Sequence, residues 1–202
     1  MNPMGELRSV TIAMTGASGT IYGLRTIEEM LSRNMRVSAI YTKGASEVSR
    51  YELGIDLERW LEEKSREKNL RIYYEDELDA PISSSSSADD AVVVVPCSIK
   101  TLAQIAYGIA ENLVVRASLN ALRLRRPLVL VPRETPLGSA ELKAMLAAHE
   151  AGAIILPAMP SFYIKPKSID DMVNFVVGKI FDVLGIQHSL YKKWRSDEES
   201  TS

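Results

Sequence analysis

A three-layer α/β fold, helix–parallel sheet–helix, is predicted by three features of this sequence. Six short apolar runs rich in Val, Ile and Leu recur along the chain. Stretches with helical spacing separate them, so that strand and helix alternate. A glycine-bearing segment, AMTGASGTIYG at positions 13–23, follows the first run directly and opens the first helical stretch. Such alternation implies right-handed crossovers and parallel strands buried on both faces.

The first strand is expected at Val10–Met14, with a helix at Ile21–Arg33 beyond the glycines. Val37–Tyr41 follows as strand, Leu57–Lys68 as helix and Leu70–Tyr74 as strand. Five serines, Ser83–Ser87, precede the fourth strand at Ala91–Val95. Small polar side chains bury little surface, which suits a mobile loop. They also let backbone and hydroxyls approach a ligand. Helices at Ile99–Ala110 and Val115–Leu124 lead to the fifth strand, Leu128–Val131. Ser139–Glu150, Ala153–Leu156 and Ile169–Leu184 complete the pattern as helix, strand and helix. No internal repeat or Pro/Gly linker divides the chain. Residues 1–202 therefore read as one domain, ordered over 10–194, with a polar tail at 195–202 that frays beyond Trp194.

Composition narrows the function. Apolar residues make up 46% and charged residues 25% of 202, an ordinary soluble mix. A net charge of −2 and no Lys/Arg cluster interleaved with aromatics argue against nucleic acid. No apolar run approaches the roughly 20 residues that span a bilayer. The opening MNPMGELRSV lacks the apolar core of a signal peptide, so a cytoplasmic location is expected. Cys97 has no cysteine partner, and two histidines, His149 and His188, do not build a typical zinc site. No metal is expected.

Ligands of open parallel sheets sit beyond the carboxyl ends of the strands. There the sequence places Gly16-Ala17-Ser18, Thr42-Lys43, PCSIKT (96–101), PRETP (132–136) and PAMPSFYIKP (157–166). Hydroxyl, basic, acidic and phenolic groups thus converge on one edge. A nucleoside triphosphate loop needs Gly-Lys-Ser/Thr, which is absent. A dinucleotide loop wants G-x-G-x-x-G and an acid after the second strand. Here Gly16, Gly19 and Gly23 are spaced G-x-x-G-x-x-x-G, and Thr42-Lys43 stands where the acid would. Backbone amides and a helix dipole still suit a phosphate, so a mononucleotide fits better than NAD.

Each side chain has a plain reading as well. Ser98 and Thr101 cap a helix or touch a ligand. Cys97 reads as a packed small residue. Arg133 and Glu134 form a solvated pair, or supply a fixed fork for phosphate and a carboxylate for proton transfer. Tyr163 closes the core or donates to an oxyanion. Arg116 and Arg123 lie seven apart on one helical face, by themselves a solvated stripe.

At these residues the chain resembles the UbiX-like flavin prenyltransferases, formerly described as aromatic acid decarboxylases. The resemblance is carried by MTGASGTIYGLR, PCSIKTLA, ENLVVRA, RRPLVLVPRETPL, GAIILPAMPSFYIKPKSIDDMVNFVVGKI and LYKKW, running from about Val10 to Trp194. PRETPL together with PAMPSFY is the specific part.

The resemblance implies a flavodoxin-like, Rossmann-like domain that binds FMN in a homo-oligomer, commonly a dodecamer. It implies transfer of a dimethylallyl group to N5 and then C6 of reduced FMN, without metal. The donor would be dimethylallyl phosphate, in some members the pyrophosphate. The product, prenylated FMN, would serve UbiD-like decarboxylases. By position, Gly16, Ala17, Ser18, Ser98, Ile99, Lys100, Thr101 and Arg133 would contact FMN. Thr42, where many members have serine, would join them. Tyr163 and Lys179 fall at prenyl-phosphate positions, the latter an arginine in relatives, and Arg116 and Arg123 at further basic positions. Glu52 matches an acid near the leaving phosphate, and Ser18 and Glu134 fall at proton-relay positions, which makes Ser18, Glu52 and Glu134 the implied catalytic residues.

The chemistry of the step suits that set. Breaking an allylic C–O bond leaves a cationic carbon and an anionic phosphate. Lacking Asp-rich Mg²⁺ motifs, the chain must stabilise that anion with basic side chains. Electron-rich flavin suits the carbocation, and loss of the C6 proton needs a base such as Glu134. Two rivals stand beside this reading. Flavin-dependent decarboxylases of peptidyl- or phosphopantothenoyl-cysteine use an early histidine and a PxMNxxMW segment, whereas here both histidines are late and PAMPSFY replaces that segment. A non-catalytic FMN-binding protein explains the glycine and PCSIKT loops but leaves the basic residues and Glu134 without a role.

Overall fold

In a computed structural model of the chain, residues 7–66 and 69–194 are described. In chain order they form β1 (Ser9–Met14), α1 (Thr20–Leu31), β2 (Arg36–Tyr41), α2 (Lys43–Leu53), α3 (Leu57–Ser65), β3 (Leu70–Tyr74), β4 (Ala91–Cys97), α4 (Ile99–Ala106), α5 (Leu113–Arg123), β5 (Leu128–Pro132), α6 (Ser139–Glu150), β6 (Ile154–Ile155) and α7 (Ile169–Leu184). The strands join one sheet in the order β3-β2-β1-β4-β5-β6, and every pair is parallel. The order reverses between β1 and β4, which sets a crevice at their carboxyl ends.

The alternating strand residues feed two cores. Val10, Ile12 and Met14 of β1 face α1, α3 and α7, packing with Leu24, Ile27, Leu57, Leu61, Val176 and Phe181. Ala13 turns the other way, with Val92 and Val94 of β4, onto α4, α5 and α6 through Leu102, Ile105, Leu113 and Ala144. Burial on both faces is why these strands read as nearly continuous apolar runs.

Local chemistry sets the helix ends. Asn112 caps α5, its Oδ1 accepting from the Val115 amide at 3.1 Å, so the helix begins at Leu113 rather than the expected Val115. The expected Ile99–Ala110 stops at Ala106, and Gly108 turns left-handed at φ 70°. Ser168 and Asp171 cap α7 reciprocally, each accepting the other's amide at 3.1 Å. Leu57–Lys68 is helical to Ser65, and the end of that expectation lies outside the described residues, as does the polar tail at 195–202. The last strand pairs only over Ile154–Ile155 within the expected Ala153–Leu156.

Helix α2 is absent from the sequence-based pattern. It buries only Ala45 and Ser49, leaves Tyr51 exposed, and so carries no apolar stripe to betray it. The serine run is likewise not a featureless loop. It winds through two 3₁₀ turns, Pro81–Ser83 and Ser85–Ser87, the second closed by a 2.9 Å contact between the Ser84 and Ser86 hydroxyls.

Candidate functional site

Thr15 ties the crevice together. Its hydroxyl donates to the Pro96 carbonyl at 2.9 Å and accepts the Ser98 amide at 2.7 Å, fixing the end of β1 to the end of β4. At 1% exposure it is a framing residue, and sequence reasoning passed over it between Met14 and Gly16. Next to it Gly16 packs backbone to backbone on Gly44 of α2. A Cβ on Gly16 would lie 3.1 Å from the Gly44 Cα, and one on Gly44 would lie 3.0 Å from the Gly16 Cα. Gly23 serves packing only, because a Cβ there would lie 2.6 Å from the Val95 carbonyl oxygen.

The amides of α1 that the glycine segment was expected to offer a phosphate are partly committed. Gly19 turns left-handed at φ 102°, and the Glu52 carboxylate accepts from its N–H at 3.0 Å and from that of Thr20 at 3.3 Å. Glu52 reaches there from the last turn of α2, so that helix, unseen in the sequence pattern, is what brings Glu52 to the end of the loop that carries Ala17 and Ser18. Ser18 is half-buried, and its hydroxyl has no hydrogen-bond partner among the described residues.

Helix α4 opens on the other side of the crevice. Ser98 caps it, its hydroxyl accepting the Thr101 amide at 3.3 Å and lying 3.0 Å from the Thr101 hydroxyl. Helix geometry leaves the first amides, those of Ile99 and Lys100, without intrahelical partners. No acidic residue stands in this first turn. Thr42 is spoken for in the same way, capping α2 by accepting the Ala45 amide at 3.1 Å.

Arg133 follows β5 where Pro132 pairs with Cys97, beside Ser98. Its Nε is buried and has no hydrogen-bond partner among the described residues. A buried guanidinium nitrogen is costly to leave unpaired. Together with the open α4 amides and the Gly16–Gly44 approach, it makes an anion-binding edge that suits the phosphate of a mononucleotide. Glu134 points into solvent, with its Oε1 accepting only the adjacent Thr135 amide, at 3.0 Å. Cys97 is fully buried, and burial pushes its thiol well above the usual range, which suits the packed role and not a nucleophile.

The basic residues divide into two sets. Tyr163 packs edge-on against Phe175 of α7 at 5.9 Å, and Lys179 stands one turn along that helix with its Nζ 5.5 Å from the Phe175 ring. Hydrogen bonding to the Tyr191 side chain, then the nearby charge of Asp182, holds the Lys179 ammonium above its ordinary pKa. Arg116 and Arg123 lie on α5, which packs on the other face of the sheet from α7. With Ser83, Ser84, Ser85 and Asn120 they line a cleft of about 470 Å³. Asn120 organises that cleft, donating to the Ser83 carbonyl at 2.8 Å and accepting from Arg123 at 3.2 Å. One chain therefore does not gather Arg116, Arg123, Tyr163 and Lys179 at a single point, because the two helices cover opposite faces.

Among the described residues no three His, Cys, Asp or Glu side chains are grouped to hold a metal ion, and no helix is long and apolar enough to cross a membrane.

Known proteins resemble the chain over nearly its full length. The family model described as Flavoprotein matches residues 2–181. The flavin prenyltransferase UbiX of Saccharolobus solfataricus is 45% identical over 96% of both chains. Among solved structures, that of AnUbiX (PadA1) in complex with FMN and dimethylallyl pyrophosphate superposes with a TM-score of 0.87 at 34% identity, covering 95% of this chain and 99% of that one. A dodecameric FMN-dependent UbiX-like decarboxylase from Escherichia coli O157:H7 gives 0.86 at 33% identity, covering 93% and 100%.

Proposed function

The chain belongs to the flavin prenyltransferases of the Flavoprotein family, and we propose that it transfers a dimethylallyl group from dimethylallyl phosphate to reduced FMN as a cytoplasmic homo-oligomer. The observation that carries the residue-level reading is the buried, unpartnered Arg133 Nε beside the open amides of α4. In this reading FMN is held by Gly16, Ala17, Ser18, Thr42, Ser98, Ile99, Lys100, Thr101 and Arg133. Bound and reduced, it supplies the nucleophilic N5 and C6 atoms.

The chain's own groups then have separable tasks. Lys179 and Tyr163 meet the donor phosphate, supplying a cation and a phenolic donor where negative charge grows as the C–O bond breaks. Arg116 and Arg123 do the same from a neighbouring copy, since their helix faces away from Lys179 within one chain. A dodecamer, the assembly of the Escherichia coli relative, is the assembly proposed here. Glu134, exposed and engaged only by its neighbour's amide, takes the ring proton, with Ser18 relaying it. Glu52 stands at the leaving phosphate. No metal takes part, and prenylated FMN passes to a UbiD-like decarboxylase.

Anaerobic incubation with reduced FMN and dimethylallyl phosphate, and in a second arm the pyrophosphate, tests the activity. A flavin gaining one dimethylallyl unit by mass is expected with the monophosphate. No adduct with either donor would overturn the reading and leave a flavin-binding protein.

A further inference from the structure

Beyond α7 the chain folds back along that helix as residues 186–194, and one carboxylate holds it there. Asp182 Oδ1 accepts from His188 Nε2 at 3.1 Å and lies 3.5 Å from Lys193 Nζ. Its Oδ2 accepts the Tyr191 hydroxyl and lies 3.5 Å from Lys179 Nζ. The His188 side chain is 1% exposed, and its Nδ1 accepts the Leu190 amide at 3.2 Å. That bond leaves the proton on Nε2, facing Asp182. Burial alone would raise the Asp182 pKa, yet the bonds from Tyr191 and His188 bring it below the ordinary carboxylate value.

Gly178 makes the return possible. A Cβ at this position would lie 2.5 Å from Tyr191 Cδ1 and 2.9 Å from His188 Cε1, so the missing side chain is the notch that the segment occupies. Both groups assigned to the donor phosphate rest on what docks there. The Lys179 ammonium lies 5.0 Å from the Tyr191 ring centroid, on the aromatic and carboxylate frame. The Tyr163 ring meets Trp194 edge-on at 5.1 Å. Beside them opens a mostly apolar cleft of about 510 Å³, with Leu156, Pro157, Met159 and Phe175 on its walls and Lys179 and Asp182 at its polar side.

A lysine on a four-carbon stem samples many rotamers unless something holds it. Here a carboxylate 3.5 Å away and two rings do so. We propose that Asp182 and Tyr191 are positioning residues, holding the Lys179 ammonium for the donor phosphate, with residues 186–194 as the frame. The inference rests on the reading in which Lys179 and Tyr163 meet that phosphate. Asp182 both steers and partly neutralises Lys179, so its replacement mixes two effects of opposite sign. Tyr191→Phe is the cleaner probe: it keeps the ring beside the ammonium and the Asp182 charge, and removes the hydroxyl that bonds both the carboxylate and Lys179.

Full-length protein is compared with Lys179→Ala, Tyr191→Phe and Gly178→Ala, measuring kcat and KM for dimethylallyl phosphate and FMN affinity. A Trp60→Phe background leaves Trp194 as the sole tryptophan to report docking of the segment. Lys179→Ala should raise the donor KM by about tenfold or more, the scale of one charged contact. Tyr191→Phe should raise it by about three- to tenfold, with kcat and FMN affinity within about twofold of wild type. Gly178→Ala should raise the donor KM and shift Trp194 emission to the red. A wild-type donor KM in Tyr191→Phe and Gly178→Ala, alongside a raised one in Lys179→Ala, overturns the positioning role and leaves the Lys179 assignment standing. A fall in kcat alone marks a merely structural segment and also overturns it. A wild-type donor KM in Lys179→Ala removes the phosphate reading and this inference with it.

Discussion

The carboxylate of Glu52 sits on the amide of Gly19, 3.0 Å from its N–H, and reaches the next amide, of Thr20, at 3.3 Å. An internal anion thus occupies the positive end of α1, where the helix dipole and unpaired donors favour negative charge. Among the described residues no carboxylate accepts the first amides of α4, although Glu111 lies 3.9 Å from the Lys100 ammonium. The proposed function puts the FMN phosphate on the α4 amides and Arg133, with Glu52 on the α1 side.

Glu52→Gln separates the capping role from a chemical one. The amide oxygen still accepts a hydrogen bond, but the charge is lost, which costs the helix end about 0.3–1 kcal/mol. For a chain of this size the thermal midpoint should fall by roughly 1–4 °C. The FMN dissociation constant is expected to stay within about threefold, because the cofactor-binding groups are untouched, while prenyl transfer falls by about tenfold or more. Full turnover beside the small stability loss would make Glu52 a cap and nothing else.

Gly44→Ala sets two effects against each other. Within α2, alanine improves helix propensity by about 1 kcal/mol. Yet its Cβ would stand 3.0 Å from the Gly16 Cα, a backbone atom with no flexible side chain to move aside. Overpacking of this kind costs about 1–3 kcal/mol. The loop carrying Gly16, Ala17 and Ser18 should shift, and a fluorescence titration should show FMN binding weakened by about tenfold, or 1.4 kcal/mol. A variant that binds FMN normally and melts higher would show that the contact is slack.

What the sequence disclosed followed from burial. The strands β1 to β5 and the helices α1, α4, α5 and α7 are apolar on the faces they bury, so periodicity located them, and the run of Ala, Leu and Met in α6 marked that helix although it buries only Ala144 and Ala148. Helix α2 escaped because Ala45 and Ser49 are its only buried residues. With it escaped the reason Glu52 lies near the glycine loop and the reason Gly44 is a glycine. The strand-end residues were legible because a parallel sheet delivers them all to one edge. Their sorting was not, since nothing in the spacing of Arg116 and Lys179 tells that α5 and α7 cover opposite faces. Asp182, His188 and Tyr191 were hidden for a different reason. Their link is a fold-back of residues 186–194 on α7, and its traces in the sequence, Gly178 in the middle of a helix and the LYKKW stretch, do not tell that the two meet.

Cys97 should resist alkylation. It is 0% exposed at the end of β4, and burial raises its thiol far above neutrality, so little thiolate exists to react. Native protein treated with iodoacetamide should remain unmodified by intact mass, and denatured protein should take up a single label. Rapid labelling of the native chain would show that the β4–α4 turn opens on that timescale.

Turnover should be independent of divalent metal. Among the described residues no acid or histidine cluster is grouped as a ligand set, whereas Lys179, Arg116, Arg123 and Arg133 carry permanent positive charge to the strand-end edge and its neighbouring surfaces. Excess EDTA is expected to leave the rate unchanged. Loss of activity with EDTA and its return with Mg²⁺ would mean that the leaving phosphate depends on an ion and not on these side chains alone.

The strongest single test of the chemistry falls on Glu134. Its carboxylate follows Arg133 directly on a turn bounded by Pro132 and Pro136, at the edge where β5 ends beside β4. The backbone is stiff there, but the side chain is exposed and accepts only the Thr135 amide, at 3.0 Å, so it is free to turn toward a ligand. Glutamine keeps the size and the accepting oxygen and removes the basic site. A general base contributes about 10²–10⁴-fold in rate, equivalent to roughly 3–5 kcal/mol of barrier. Glu134→Gln should therefore bind FMN as wild type does, since Arg133 and the α4 amides remain, and should form prenylated FMN at least about a hundredfold more slowly. Formation at the wild-type rate would assign the proton to another acceptor and leave Glu134 as a residue that stiffens its own turn.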